Sequence, residues 1–431
     1  MTDTKTRTIP VVIVGGGQAG LSASYHLCRS NIEHVVLERY RFAHQWRENR
    51  WDSFCLVTPN WQCRLPGFSY GADYGGADPN GFMLKDEIVD YLEAFVKSFD
   101  PPLKEGVTVT DVRRRDDGRF VVETETEEGD LTYVAEQVVI ASGGYDIPVI
   151  PPYAAEIDPA IVQIQAGDYR NPDQLPDGSV LVVGSGQSGV QIMEDLKIAG
   201  RQVHLAVGSA PRSPREYRGR DATDWLYDMG HYALTIRDHP LGEAVKEKTN
   251  HYMTGRDGGH EIDLRKFALE GVRLYGSMTG ASRTEATFAS DLEKNLDDAD
   301  ASYVGIREVI DRYIAENGID APEEPRFQKV WRPQTEPAAL DFAREKISAV
   351  VWAIGFRPDY SWLNVDVLND RGRPVFDRGV CEVEGIYFLG LGWLNTWGSG
   401  RFLGVAEDAE YLCGHIEALH RRNRASLSKV S

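Results

Sequence analysis

Short apolar runs alternate with amphipathic stretches along much of the chain, a pattern typical of α/β folds with parallel strands. Near the start, an apolar run from Ile9 to Val14 precedes glycines, a helical pattern from Ala19 to Arg29 and a second apolar run from His34 to Leu37. This order predicts a strand, a helix and a parallel strand of the same sheet. A second unit of this kind starts at Ser179.

The stretch between the two units carries its own elements. A helical pattern from Lys85 to Phe99 ends at a proline pair. Alternating polar and apolar residues then predict a three-stranded antiparallel meander, because turn residues separate the segments. The three strands are expected at Val107 to Arg113, Phe120 to Glu125 and Leu131 to Ala135, and a separate buried strand at Gln137 to Ala141.

Gly15, Gly17 and Gly20 satisfy the spacing G-x-G-x-x-G directly between the first predicted strand and helix. In a dinucleotide-binding unit the first glycine permits a tight turn, the second admits a pyrophosphate, and the third lets the helix approach the strand. Glu38 ends the second strand, where a carboxylate accepts hydrogen bonds from ribose hydroxyls and repels a 2′-phosphate. The unit therefore predicts a site for a dinucleotide with a free adenosine ribose, such as FAD.

The same spacing recurs in VLVVGSGQSGVQIMEDL, again after an apolar run and before a helical pattern. Two such fingerprints in one chain are more specific than one. The residues of the second predicted site are Gly184, Gly186, Gln187, Ser188 and Gly189.

The strand after the second fingerprint ends without a carboxylate. Ser209 stands there instead, and Arg212, Arg215 and Arg218 follow. A hydroxyl and arginine side chains suit a 2′-phosphate, so Ser209 and Arg212 predict NADPH rather than NADH. A solvated basic loop is the alternative interpretation of this segment.

Two further segments follow apolar runs: VVIASGGYDIP at 138–148 and VVWAIGFRPD at 350–359. Together with GIYFLGLGW at 385–393, they resemble the class B flavin monooxygenase superfamily, particularly its bacterial flavoprotein oxidoreductases. RWDSFCLVTPN, LPG and YRNP, at 50–60, 65–67 and 169–172, extend the resemblance, which runs from about Pro10 to Leu412. It implies that NADPH and O2 generate a flavin C4a-hydroperoxide that oxygenates a small organic substrate.

The resemblance and the fingerprints predict an α/β fold with two Rossmann-like, three-layer (ββα) dinucleotide-binding domains. We expect a discontinuous FAD-binding domain from residues 8–150 and 347–420. The NADPH-binding domain is expected at 151–346, with a helical insertion at about 222–330. Residues 421–431 are expected to form a polar tail.

The resemblance also implies site residues. Trp46, Ser142, Gly143 and Gly390 belong to segments that bind the cofactor in that superfamily, and Trp51 and Trp397 to segments beside the flavin ring. For the tryptophans, ordinary core packing is the alternative.

Two residues are candidates for catalysis. Asn60 occupies a place where related enzymes present an amide to the flavin, and its alternative is an ordinary turn residue after Pro59. Arg401 is expected to hold the flavin O2 atom or a substrate anion, and its alternative is a cap on the following helix.

One departure from the superfamily concerns a histidine before the second fingerprint. Gln165 and Ala166 stand at the equivalent positions. This difference favours an alternative function, an NADPH-dependent flavin oxidoreductase or oxidase without oxygen insertion.

Composition narrows the class of protein. A net charge of −19 over 431 residues disfavours nucleic acid and anionic membranes as partners. The five cysteines form no C-x-x-C pair, which disfavours a disulfide reductase, and no metal site is expected. No stretch approaches the roughly 18 apolar residues of a membrane span, and the first residues lack a secretion signal, so a cytoplasmic location is expected.

The sequence therefore predicts a flavin-dependent oxidoreductase with FAD and NADPH as cofactors and a small molecule and O2 as substrates. A flavin-binding sensor without a working nicotinamide site remains the non-enzymatic alternative. The sequence does not identify the substrate, and it leaves open whether the protein forms a homodimer.

Overall fold

The structure is a computed structural model that describes residues 5–427. Predicted helices at the first fingerprint and at Lys85 to Phe99 are both present, the first beginning one residue earlier than expected. The helices are α1 (Gln18–Arg29), α2 (His44–Arg47), α3 (Lys85–Phe99), α4 (Gln187–Ile198), α5 (Ala222–Asp228), α6 (Leu264–Leu269), α7 (Leu292–Asn317) and α8 (Val405–Leu427).

The strands fall into two main sheets, a small sheet of three strands and three short pairs. The first part of the chain contains β1 (Lys5–Val14), β2 (His34–Leu37), β3 (Arg64–Leu65), β4 (Phe68–Ser69), β5 (Leu103–Lys104), β6 (Thr108–Arg114), β7 (Phe120–Glu125), β8 (Leu131–Ile140) and β9 (Ile147–Pro148). The middle contains β10 (Val162–Gln165), β11 (Ser179–Val183), β12 (Val203–Ala206), β13 (Glu216–Tyr217), β14 (Arg220–Asp221), β15 (Arg273–Tyr275), β16 (Met278–Ala281), β17 (Glu285–Phe288), β18 (Ala339–Asp341) and β19 (Ile347–Trp352). The last strands are β20 (Phe356–Arg357), β21 (Leu363–Asn364) and β22 (Ile386–Phe388).

The first sheet has the order β21, β6, β7, β8, β1, β2, β5, and β22 also pairs with β8. The two strands expected at Leu131 to Ala135 and Gln137 to Ala141 are one strand, β8, because β1 pairs with it along its whole length. The buried Gln137 side chain, which interrupts the apolar pattern, is satisfied by the Ile416 carbonyl at 3.1 Å and the Tyr387 hydroxyl at 2.8 Å. This sheet carries the first fingerprint.

The second sheet is parallel throughout, in the order β10, β19, β11, β12, β15. The sequence predicts that the chain returns to the first unit at residue 347. In the structure β19 lies between β10 and β11, so the chain leaves the second sheet only after Trp352. The two crossings between the units pair with each other as the antiparallel strands β9 and β20. The predicted α/β class with two dinucleotide-binding units is thus confirmed.

The segment 222–330 contains strands as well as helices. Besides α5, α6 and α7 it holds β15, which extends the second sheet, and the hairpin of β16 and β17. These strands are three or four residues long, too short for a periodic signal among the charged residues around them. The expected tail is helical as far as Leu427, and residues 428–431 lie outside the described part.

Two motifs of the sequence meet at the joint between the units. Trp51 is buried in the core of the second unit, 5.0 Å from Phe54 and 6.5 Å from Tyr169 between ring centres. The neighbouring Asp52 accepts a hydrogen bond from Asn171 at 2.7 Å. Trp51 thus packs in this core, and the RWDSF and YRNP segments connect the first unit to the second.

Asp195, on α4, completes this joint. Its carboxylate accepts hydrogen bonds from Ser53 at 2.6 Å and Tyr169 at 2.7 Å, and pairs with Arg256 at 2.6 Å. Charge-assisted hydrogen bonds at a buried carboxylate hold such a geometry closely.

Within residues 5–427, no helix is long and apolar enough to cross a membrane.

The first turn of α8 supplies a prediction about stability. Asp408 is buried, and burial raises its pKa to about 6, although Arg378 lies 3.7 Å from one carboxylate oxygen. Because the folded state binds this proton more tightly than the unfolded chain, stability falls as pH rises from about 4 to about 6. Replacing Asp408 by Asn should remove that loss. The free energy of unfolding of the variant, relative to that of the wild type, should therefore rise by about 2–3 kcal/mol between about pH 4 and pH 8.

Thermal melting of the cofactor-loaded protein across that pH range measures the difference. Asp370→Asn is the matched control, because Asp370 is exposed on a loop. Glu407, which also raises the pKa of Asp408, is unchanged in both variants. A difference between Asp408→Asn and wild type that does not vary with pH would contradict this account.

Candidate functional site

The first glycine loop lies between β1 and α1. Backbone atoms contact it closely at its first and third glycines, and space is free at its second. Gly15 has φ +112°, and a Cβ there would lie 2.4 Å from the Ala141 carbonyl oxygen. A Cβ at Gly20 would lie 1.9 Å from the Gly15 oxygen, which forces α1 against the strand. A Cβ at Gly17 would meet no atom within 4 Å. The loop therefore leaves space above Gly17 at the helix N-terminus, where a pyrophosphate fits.

Glu38 faces this loop from the end of β2. One carboxylate oxygen accepts the Gly16 N–H at 2.7 Å, and the other accepts the Tyr40 N–H at 2.9 Å. Burial raises the pKa of this carboxyl group, and the two backbone donors oppose that rise. The carboxylate is thus held beside the loop, where it can also accept from ribose hydroxyls.

The second glycine loop repeats the geometry of the first. Gly184 has φ +106°, and its Cβ would lie 2.6 Å from the Ala353 oxygen. A Cβ at Gly189 would lie 1.9 Å from the Gly184 oxygen, and a Cβ at Gly186 would meet nothing within 4 Å. Ser188 is half-buried in the first turn of α4. Both loops therefore fit the pyrophosphate of a dinucleotide.

The two loops differ at the second strand. In the second unit the Ser185 hydroxyl accepts the Gly208 N–H at 3.0 Å, and the exposed Ser209 follows. The carboxylate that occupies this place in the first unit has no counterpart here. The two sites are therefore alike in shape and different in charge.

A glutamine at the start of each helix ties its loop to a distant segment. Gln18 donates to the Gly400 carbonyl at 3.0 Å and accepts from the Trp46 indole N–H at 3.1 Å. Gln187 donates to the Met253 carbonyl at 2.5 Å and accepts the Met253 N–H at 3.1 Å. Trp46 and the segment before α8 thus adjoin the first loop, and residues near Met253 adjoin the second.

Ser142, Gly143 and Gly390 also lie at this edge of the first sheet. The Ser142 hydroxyl is buried, and no hydrogen-bond partner for it occurs among residues 5–427. Gly143 has φ +85° with open space around its Cβ position. A Cβ at Gly390 would lie 2.6 Å from the Ala19 Cβ, so Gly390 lets α1 approach the end of β22.

Arg212 does not lie where a 2′-phosphate would need it. Its guanidinium is buried against Asp300 at 2.9 Å, Asp263 at 3.3 Å and Glu261, and its charge lies 4.2 Å from the ring centre of Tyr303. The expectation that Arg212 binds a 2′-phosphate was wrong. The sequence did not indicate its true partners, because these carboxylates come from distant parts of the chain. Arg215 and Arg218 are likewise paired, with Asp221 and Asp311.

The Asn60 side chain bonds to two backbone groups of another loop. Its amide N–H donates to the Asp78 carbonyl at 3.0 Å, and its amide oxygen accepts the Met83 N–H at 2.7 Å. Asn60 is buried and shapes the loop from Asp78 to Met83. These bonds give Asn60 a structural role in this loop, and its catalytic role stays a prediction.

Residues 231–251, here termed the cover segment, lie over the stretch that precedes α8. The Ile236 N–H donates to the Asn395 carbonyl at 2.6 Å, and the Tyr232 ring lies 4.6 Å from the Trp397 ring. Ile236, Val245 and Trp393 form a small core between the two segments. The sequence does not indicate this contact, because the cover segment carries no motif and the two segments are distant in the chain.

Arg401 lies beneath the cover segment. Its guanidinium stacks on the Trp397 ring at 4.0 Å, donates to the Trp397 carbonyl and donates to the Asn250 amide oxygen at 2.8 Å. Burial lowers the pKa of this guanidinium. The side chain thus has its partners outside α8, while the Arg401 carbonyl accepts the Val405 N–H at the start of that helix at 3.0 Å.

The cysteines of the chain do not form disulfides in the structure. All five cysteines are free, and burial raises the pKa of Cys55 to about 11 and that of Cys381 to about 12. Such thiols are poor nucleophiles. The described residues contain no group of His, Cys, Asp and Glu side chains that could hold a metal ion.

Comparison with known proteins places the chain in a family. Residues 12–227 match the family described as pyridine nucleotide-disulphide oxidoreductase. An uncharacterized CzcO-like oxidoreductase of Geobacillus kaustophilus is 33% identical over 95% of this chain and 98% of its own length. An indole-3-pyruvate monooxygenase of Arabidopsis thaliana is 31% identical over 78% of this chain and 86% of its own.

A solved structure agrees with the fold. The flavin-containing monooxygenase from Stenotrophomonas maltophilia superposes with a TM-score of 0.65 at 20% identity, over 96% of this chain and 99% of that one. Together with the two glycine loops, these matches show that the chain belongs to the pyridine nucleotide-disulphide oxidoreductase family and has the fold of a flavin-containing monooxygenase.

Proposed function

We propose that this protein is an NADPH-dependent FAD monooxygenase that oxygenates a small organic molecule. The observation that carries the proposal is the pair of loops with the same shape and different charge. The first loop has Glu38 beside it, which suits the adenosine ribose of FAD, and the second has Ser209, which leaves room for a 2′-phosphate.

In the proposed overall reaction, NADPH supplies a hydride, which carries two electrons, and becomes NADP⁺, while one proton is taken up. One oxygen atom of O2 enters the substrate and the other leaves as water. FAD supplies the oxygen chemistry when bound, so the protein must hold it, bring the nicotinamide to it and exclude water. The family relationship and the monooxygenase relatives support this division of labour.

The residues of the chain have distinct parts in this proposal. Glu38 and the loop at Gly15 to Gly20 would hold the FAD adenosine and pyrophosphate, and the loop at Gly184 to Gly189 would hold those of NADPH. Trp46, Ser142 and Gly143 adjoin the first loop and would line the FAD site. The cover segment shields the stretch before α8 from solvent.

A second candidate is an NADPH-dependent flavin oxidoreductase or oxidase without oxygen insertion. It is favoured by Gln165, whose side-chain oxygen accepts the Gly167 N–H at 2.7 Å and so closes a local turn. A histidine at the equivalent position of related enzymes would offer a different donor to a bound nucleotide. Without that histidine, the placement of the bound nucleotide would be less tightly controlled in this chain.

Rapid mixing distinguishes the two candidates. After anaerobic reduction by NADPH, the protein is mixed with oxygenated buffer while its absorbance is recorded. We expect a near-ultraviolet intermediate that persists before oxidised flavin returns. Direct return of oxidised flavin with one hydrogen peroxide per flavin would favour the second candidate, and failure of NADPH or NADH to reduce the flavin would contradict both.

Glu38→Gln tests the FAD site. Loss of the charge removes strong hydrogen bonds to ribose and should weaken FAD binding by roughly tenfold to a hundredfold, since hydrogen bonds to charged groups contribute about 1.5–3 kcal/mol. The dissociation constant is measured by flavin fluorescence on protein stripped of FAD. Glu33→Gln, which alters an exposed ion pair with Arg7, is the control and should bind FAD as the wild type does.

Ser209→Glu tests nucleotide preference at the second loop. A carboxylate at this position repels a 2′-phosphate and accepts from a 2′-hydroxyl, so the ratio of kcat/KM for NADPH over NADH should fall by roughly tenfold or more. The rate of anaerobic flavin reduction at varied nucleotide concentration gives this ratio. Ser282→Glu, on an exposed turn, is the matched control. An unchanged ratio would mean that the 2′-phosphate binds elsewhere.

A further inference from the structure

The glutamine that begins the helix of each glycine loop contacts a segment that is distant in the chain. Gln18 donates to the Gly400 carbonyl at 3.0 Å, and Gln187 bonds to both backbone groups of Met253. Gly400 belongs to the stretch before α8, and Met253 lies two residues beyond the cover segment. Each glutamine therefore connects a helix N-terminus, where a pyrophosphate would bind, with one of two segments that contact each other.

The stretch before α8 is held as one piece beside the first loop. The buried Ser399 hydroxyl accepts the N–H groups of Asn395 and Thr396, both at 3.0 Å. A Cβ at Gly400 would lie 2.5 Å from the Gly390 carbonyl oxygen, so this stretch lies directly against the turn after β22. The stretch therefore keeps a fixed position relative to the first loop.

The other end of the path belongs to the second unit. Where the cover segment ends, His251 Nε2 lies 2.9 Å from the Ser302 hydroxyl of α7. The N–H of the buried Tyr252 donates to the Pro211 carbonyl at 2.9 Å. The second unit thus determines where the backbone of Asn250, directly before these residues, is placed.

Asn250 and Arg401 join the two ends. The Asn250 amide oxygen accepts from the Arg401 guanidinium at 2.8 Å. The guanidinium also donates to the Trp397 carbonyl and lies 4.0 Å from the centre of the Trp397 ring, which limits its movement. Because Arg401 follows Gly400 and Asn250 precedes Met253 by three residues, these contacts complete a continuous path between the two glycine loops.

Other contacts of the cover segment with the first unit do not involve Asn250. The Ile236 N–H donates to the Asn395 carbonyl at 2.6 Å, and Arg237 forms an exposed ion pair with Asp377 at 2.6 Å. These contacts would keep the segment attached if the Asn250 side chain were removed. The expected result of that change is therefore a shift between the two loops and not release of the segment.

We propose that the cover segment couples the two cofactor sites, and that Asn250 is a positioning residue that acts through Arg401. By binding the guanidinium, Asn250 fixes the second glycine loop relative to the first and so places the nicotinamide against the flavin. This inference rests on the binding of FAD and NADPH in the proposed function and names how the two sites communicate. A misplacement of about 1 Å between reactants lowers a rate by as much as roughly a hundredfold, so a small contact suffices.

Hydrogen exchange tests the coupling without turnover. The probe is 2′-phospho-ADP-ribose, the part of NADP⁺ that lacks nicotinamide and therefore does not reach the flavin. Amide exchange of the FAD-loaded protein is followed by mass spectrometry with and without this probe. In the wild type we expect the probe to slow exchange at 393–401, although it binds at the second loop. In Asn250→Ala this slowing should be lost.

Anaerobic reduction of bound FAD at varied NADPH concentration is the second readout. Asn250→Ala should lower the limiting rate by roughly tenfold and change the dissociation constant of NADPH by less than about twofold, because the contacts to the nucleotide are unchanged. Asn250→Asp keeps an acceptor for Arg401 and should restore the rate. Asn317→Ala is the matched control, because Asn317 is exposed and its amide donates to the Tyr313 carbonyl of its own helix at 2.9 Å.

The proposal is overturned if the probe does not slow exchange at 393–401 in the wild type, or slows it equally in Asn250→Ala. It is also overturned if Asn250→Ala weakens NADPH binding without lowering the limiting rate, or if Asn250→Asp is as slow as Asn250→Ala. The proposed function fails in a different way. If the probe binds but NADPH does not reduce the flavin, or if no oxygen intermediate forms, the exchange measurement still decides whether the two sites are coupled.

Discussion

A Cβ added to Gly20 would lie 1.9 Å from the carbonyl oxygen of Gly15, and Gly189 stands in the same relation to Gly184. In each unit the helix is packed so closely against the preceding turn that only glycine fits. This contact places the helix N-terminus at the carboxyl edge of a parallel sheet, where its free N–H groups are exposed to a ligand. The first of these contacts also brings the loop to Glu38, whose carboxylate accepts the Gly16 N–H at 2.7 Å.

The joint between the units determines how the two loops are placed relative to each other. Asp195 accepts hydrogen bonds from Ser53 and Tyr169 and pairs with Arg256, so residues from three distant parts of the chain converge on one carboxylate. Removing one member of such a buried network leaves the others unpaired, which is costly. This explains why the RWDSF and YRNP segments form motifs although neither lies in a glycine loop.

Arginines illustrate how environment decides chemical role. Arg212 is buried among carboxylates, whereas Arg401 is half-buried and bonds to the Trp397 carbonyl and the Asn250 amide. The surrounding carboxylates give Arg212 a structural role in the core. The cysteines show the same principle. The family description names disulphide oxidoreductases, but the thiols here are free and mostly buried in apolar surroundings that disfavour the thiolate.

The sequence by itself determined the local units. Gly15 to Gly20, Gly184 to Gly189 and the apolar runs around them specify strand, turn and helix through contacts between residues close in the chain, so the α/β class and both loops were predictable. Tertiary structure decided what depends on distant residues. It joined two expected strands into β8 through pairing with β1, moved β19 into the second sheet, engaged Arg212 with carboxylates, bound the Asn60 amide to a neighbouring loop and brought Asn250 to Arg401. Backbone geometry is set by neighbours in sequence, whereas the partner of a long polar side chain is set by the whole fold, and a single sequence does not record which partner it meets.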